Sequence, residues 1–171
     1  MSQSSQLPVI HSATDRLVEA NHHYADTVSE LDQKKPRLKV AILSCMDTRL
    51  NLETQLGLLR GDAHMIRNAG GLVTDDALRS LAISQQHLGT REIMIVQHTD
   101  CGMLNFDDAK FRAELAHHPG PEPAWDVPGF TDVEESLRAS MRRLRAIGWL
   151  ITDSVRGFVL DAHTSRLREL H

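Results

Sequence analysis

Two short apolar runs, each delivering possible metal ligands at its carboxyl end, constrain this chain more than anything else in it. Leu38-Lys39-Val40-Ala41-Ile42-Leu43 leads into Ser44-Cys45-Met46-Asp47-Thr48-Arg49. Glu92-Ile93-Met94-Ile95-Val96 leads into His98-Thr99-Asp100-Cys101-Gly102. Runs of this length and composition read as buried parallel strands. In an open α/β sheet, ligands bind just beyond the carboxyl ends of such strands. Cys45 and Cys101 are the only 2 cysteines in 171 residues, and with His98 they are predicted to converge on one point. Two thiolates and one imidazole suit Zn²⁺. Three protein ligands with an open fourth position is the catalytic zinc pattern, whereas structural sites close all four. One disulfide is the alternative use of two cysteines, but it leaves His98, Asp47 and Arg49 without a shared task.

Cys45-x-Asp47-x-Arg49 followed by His98-x-x-Cys101-Gly102 resembles the β-class carbonic anhydrases, and Gly61-Asp62-Ala63-His64-Met65-Ile66-Arg67-Asn68-Ala69-Gly70-Gly71 resembles that family's middle block. A lone His-x-x-Cys says little; the ordered combination, each part after a strand, is specific. The resemblance is close over residues 38–104 and loose at the ends. It implies one Zn²⁺ per chain on Cys45, His98 and Cys101. It also implies an Asp47–Arg49 dyad, in which Arg49 keeps Asp47 ionised and Asp47 orients the water on zinc. In a closed state Asp47 itself becomes the fourth ligand. The implied reaction is reversible hydration of carbon dioxide to bicarbonate. A branch of the family with the same segments hydrolyses carbonyl sulfide or carbon disulfide, and the residues leave the two substrates open. A catalytically silent zinc scaffold would be favoured by loss of Asp47 or Arg49, and both are present. On residue types alone, that pair also reads as an ion pair capping a turn.

The chain departs from the family pattern in places. Many members carry glutamine nine residues before the first zinc cysteine, where this chain has Pro36; His64 and Ile83 stand where aromatics are common. The niche for a small linear substrate is therefore expected to be lined differently. Ile66, Ala69, Gly70, Gly71, Val73 and Ile83 are its candidate lining. His64 is a candidate proton shuttle, a packed strand histidine being the plainer role.

A length of 171 residues suits one domain with a sizeable core. The formal net charge is −4 with no basic stripe, so no nucleic-acid partner is expected. The N-terminus lacks a signal-peptide pattern and no apolar run approaches the ~20 residues of a membrane span; a cytoplasmic protein with no membrane partner is expected. The predicted architecture is α/β, with a mainly parallel sheet of about four core strands plus a short C-terminal edge strand. Helices flank it, and an N-terminal helical arm occupies residues 1–35. Residues 38–104 form the zinc-site core, and residues 105–171 supply helices and the C-terminal strands. Within the arm, residues 1–11 read as a loose tail. A helix from Ser12 to about Leu31 starts on a Ser12/Asp15 capping box, and its stripe of Leu17, Val18, Tyr24, Val28 and Leu31 is expected to help build a homodimer or a larger homo-oligomer. Further helices are expected over about 51–58, 74–87, 106–116 and 131–147, with strands at 38–44, 63–67, 92–97, 155–160 and a short one ending at Leu170. Trp125 and Phe130 are expected to pin the proline-rich loop, and Arg142, Arg143 and Arg145 to form a solvated or subunit-facing helix surface.

Overall fold

The computed structural model describes residues 12–30, 33–151 and 153–171. The tail expected over residues 1–11, and Leu31 of the apolar stripe, lie outside them. Helix α1 (Ala13–Thr27) belongs to a unit of its own, distinct from residues 33–171. Its start is the capping box expected from Ser12 and Asp15: Asp15 N–H donates to Ser12 Oγ (3.1 Å) and Ser12 N–H to Asp15 Oδ2 (2.9 Å). None of its residues is buried, and Leu17, Val18 and Tyr24 are exposed.

The second unit is an α/β sheet protein. Strands β1 (Val40–Cys45), β2 (Ala63–Asn68), β3 (Glu92–His98), β4 (Val155–Leu160) and β5 (Leu167–Leu170) form one sheet in the order β2-β1-β3-β4-β5. The first three pairings are parallel and the last is antiparallel. Helices α2 (Leu52–Gln55), α3 (Asp75–Gln86), α4 (Asp108–Leu115) and α5 (Val133–Arg145) fill the connections. The core divides by strand alternation. Ala41, Leu43, Ile93 and Ile95 pack with Leu81 of α3 and Leu137, Met141 and Leu144 of α5. Ile42 and Val96 pack on the other side with Leu50, Leu52 and Met103. With both faces covered, β1 and β3 tolerate the continuous apolar runs seen in the sequence.

Several element ends differ from the sequence reading, each for a local reason. Strand β1 starts at Val40 because Lys39 turns back in the left-handed region (φ 53), its N–H donating to Pro36 O, and Leu38 is left exposed. Helix α2 is one turn long because Gly57 takes φ 66. Helix α4 begins only after Asp107, whose carboxylate accepts from Lys110 N–H. The proline-rich loop is held by Arg112, which donates to the Pro123 and Trp125 carbonyls; the Trp125 side chain is exposed, while Phe130 is packed against the apolar cluster. The α5 arginines are also less idle than expected: Arg143 donates to Val73 O and Asp75, and Arg145 to Val155 O.

Candidate metal centre

The strand order places the site. The chain leaves β1 for β2 on one side, and β3 for β4 on the other. The carboxyl ends of β1 and β3 therefore flank the switch point where open α/β sheets bind ligands. Cys45 is the last residue of β1 and His98 the last of β3, and Cys101 follows on the next turn. Their ligand atoms all lie within 4.8 Å of one another, and all three residues are buried. Cys45 Sγ and Cys101 Sγ are 3.8 Å apart. Two thiolates each ~2.3 Å from a tetrahedral zinc stand about 3.8 Å from each other. His98 Nδ1 donates to the Thr99 carbonyl (2.9 Å), which leaves Nε2 with its lone pair free. That Nε2 is buried and has no hydrogen-bond partner, an arrangement a metal would satisfy. The donor set therefore fits zinc.

Electrostatics prepare the same atoms. Burial pushes the Cys45 thiol up, but the His98 imidazole and the N–H groups of Asp47 and Gly70 outweigh it and bring the group down to about 7. Burial raises Cys101 to about 11, the Cys45 charge adding to the effect. Metal binding must therefore displace protons.

Asp47 and Arg49 stand at the rim. Arg49 Nε and Nη2 donate to the two Asp47 carboxylate oxygens at 3.0 and 2.8 Å, a bidentate pair, and Arg49 N–H adds a third bond at 2.9 Å. These bonds hold the Asp47 carboxyl far below the usual carboxylate range. Asp47 Oδ2 lies 3.9 Å from His98 Nε2. A cleft of about 480 Å³ opens here, lined by Met46, Asp47, Ala69, Cys101 and Met103 among others.

The glycine turn lies behind the cleft. Gly70 (φ 81) and Gly71 (φ 62) are buried. A Cβ at Gly71 would sit 2.8 Å from Cys45 N and 2.9 Å from Ser44 C, and backbone cannot yield there. Gly71→Ala is expected to cost about 1–3 kcal/mol from the left-handed strain alone, with further loss from the clash and with less zinc retained. Thermal melting and zinc content check this; a variant matching the parent in both would show that the turn can shift.

Not every expected pocket residue reaches this cleft. Ala69 lines it. Ile66 and Ile83 line a separate depression with His64, Ser80 and Leu88; Ile66 packs toward the α3 and α5 side of the sheet, and Ile83 is exposed on α3. Val73 is a core residue beside a third depression, near Arg143. His64 Nδ1 is hydrogen-bonded to Ser84 Oγ (2.7 Å), which in turn meets Thr90 Oγ1 (2.8 Å). Burial pushes His64 below the usual histidine value. This is the packed strand histidine, not a group at the cleft of this chain.

Sequence reasoning passed over one residue here. Arg67 on β2 donates to the Cys45 carbonyl (2.9 Å) and the Asp47 carbonyl (2.6 Å), tying the ligand turn to the neighbouring strand. Its place in the Arg67-Asn68-Ala69-Gly70-Gly71 block, level with Ser44 in the sheet register, is the available signal.

Similarity to known proteins agrees with this geometry. The family profile described as "Carbonic anhydrase" matches residues 40–120. "Beta-carbonic anhydrase 1" of Mycobacterium tuberculosis is 42% identical over 160 residues, covering 93% of this chain and 98% of that protein. The chain belongs to the β-carbonic anhydrase family. It is thus an enzyme of a zinc-using family, and Cys45, His98 and Cys101 form a cluster able to hold the metal ion. The crystal structure of the carbonic anhydrase from Streptococcus mutans superposes with a TM-score of 0.86 at 41% identity, covering 95% of this chain and 99% of that one. A carbon disulfide hydrolase from an Acidianus species is 55% identical, over 65 residues only: 38% of this chain and 32% of that protein. As in other α/β members of this β-carbonic anhydrase fold, the sheet is mostly parallel. No helix among the described residues is long and apolar enough to cross a membrane.

Proposed function

We propose that this chain catalyses the reversible hydration of carbon dioxide to bicarbonate. The observation that carries the reading is the Asp47 carboxylate, clamped by Arg49 and 3.9 Å from the one unpartnered ligand nitrogen of His98. Zinc in this site supplies a Lewis acid that makes hydroxide available from water at neutral pH. Ionised Asp47 accepts hydrogen bonds and donates none. It therefore selects an oxygen that still carries hydrogen and turns that oxygen's lone pair toward the carbon. Arg49 fixes the Asp47 rotamer, so this orientation is set before the substrate arrives. Carbon dioxide is apolar, and Ala69 and Met103 offer it an apolar wall beside the cysteines. Protons leave through the open side of the cleft, since His64 is held by Ser84.

Near-full-length similarity to a β-carbonic anhydrase supports this substrate. The second reading, hydrolysis of carbonyl sulfide or carbon disulfide, draws on the strong local similarity to carbon disulfide hydrolases; hydroxide attack on a linear carbon centre is common to both. We further propose a homo-oligomer built from dimers, since α1 carries the exposed apolar side chains Leu17, Val18 and Tyr24. The test is one zinc-loaded preparation, sized by light scattering and assayed for carbon dioxide hydration by stopped flow and for sulfide release from carbonyl sulfide. Fast hydration with little sulfide is expected. Efficient sulfide release with weak hydration would overturn the reading.

A further inference from the structure

The Arg49 guanidinium serves two aspartates. Nε and Nη2 hold Asp47, while Nη1 donates to Asp100 Oδ2 (2.7 Å) and Nη2 also to the Asp100 carbonyl (2.7 Å). Asp100 lies in the left-handed region (φ 54) between the ligands His98 and Cys101. Its flank is anchored: Thr99 N–H donates to Leu160 O (3.0 Å), and Ala162 N–H to Thr99 Oγ1 (3.0 Å). We propose that Asp100 is a positioning residue of the reaction, holding Arg49 from its far edge so that the near edge stays on Asp47. The inference rests on the reading that Asp47 orients the attacking water.

The plainer role for an aspartate on such a turn is to cap it. Asp161, on the β4–β5 turn, does so, its carboxylate accepting from the His163 and Thr164 N–H groups. The Asp100 carboxylate accepts from Arg49 and, among the described residues, from no backbone N–H of its own turn. It spends its charge on the guanidinium. Gripped at both edges, a planar guanidinium cannot rotate. Without the Asp100 charge, the far edge keeps the bond from Nη2 to the Asp100 carbonyl but loses its ionic partner on Nη1, and the dyad opens more often. A released Asp47 carboxylate, 3.9 Å from His98 Nε2, then has access to the metal.

Asp100→Asn in the zinc-loaded full chain separates the two roles, because asparagine tolerates the left-handed backbone while removing the charge. We expect kcat to fall about 10-fold, with KM, zinc content and melting temperature unchanged. In an Arg49→Ala background the same substitution should add no further loss. Zinc release to dipicolinate, followed in the same variants, should slow in Asp100→Asn as Asp47 gains access to the metal. That slowing should vanish when Asp47→Ala is added. Parental kcat and parental zinc release would overturn the proposal, as would a full additional loss on the Arg49→Ala background. If the parent neither hydrates carbon dioxide nor releases sulfide, the proposed reaction fails, while the zinc-release series still decides the role of Asp100.

Discussion

Cys45→Ser is expected to leave purification with well under one zinc per chain and with no measurable turnover. The cysteine supplies one of three protein ligands, and serine offers a harder, poorly ionised oxygen in place of a thiolate. Its neighbours then suffer together. The orphaned His98 Nε2 stays buried without a partner, and Cys101, still pushed up by burial, keeps its proton at neutral pH. Stability should follow the metal. A site bound about 1,000 times above its dissociation constant stabilises the fold by about 4 kcal/mol, or about 10 °C in Tm for a chain of this size. A chelator should therefore lower the Tm of the parent and leave the variant unmoved. Because Cys45 and Cys101 must both lose protons to bind metal, zinc affinity should also rise with pH through the neutral range. A variant holding one zinc per chain would remove Cys45 from the ligand set.

Asp47→Ala is the second large effect, and it should separate chemistry from metal binding. The variant keeps Cys45, His98 and Cys101, so zinc content should match the parent. Turnover should drop about 10- to 100-fold, the usual cost of losing a group that orients a metal site. Asp47→Asn should be nearly as slow, because its amide brings donors where only acceptors serve. The pH dependence has a definite sign. Arg49 holds the Asp47 carboxyl far below the ordinary carboxylate range, so the pair is intact above that range and is lost only as pH falls through the depressed value. Activity that disappears between pH 7 and 5 therefore does not report protonation of Asp47. Zinc analysis with a pH profile of kcat/KM checks both points; an unimpaired Asp47→Ala would reduce the dyad to an ion pair capping its turn.

Much of this site is legible in the amino-acid sequence. The β1 and β3 runs are apolar on both faces because α3 and α5 cover one side of the sheet and residues such as Leu50, Leu52 and Met103 cover the other, so they stand out from alternating strands. A residue at the carboxyl end of such a strand lies beside the crevice, which makes Cys45 and His98 readable together. Asp47 and Arg49 follow within four residues, and neighbours that close need no tertiary knowledge to be joined. The substrate wall is another matter. Ile66, Val73, Ile83 and His64 are near the glycine turn in sequence, but strand alternation and the course of α3 carry them to other faces.

What the sequence alone determined is the succession of strands along the chain, the three candidate ligands and the Asp47–Arg49 pair, because each depends on local pattern. What only the tertiary structure decided is how distant segments share charge and backbone carbonyls around those ligands. Asp100 reaches Arg49 across 51 positions, and Arg67 reaches Cys45 across 22. Those meetings follow from β2, β1 and β3 lying side by side, and strand neighbours in a sheet are set by the balance of packing over the whole core rather than by any short stretch of chain.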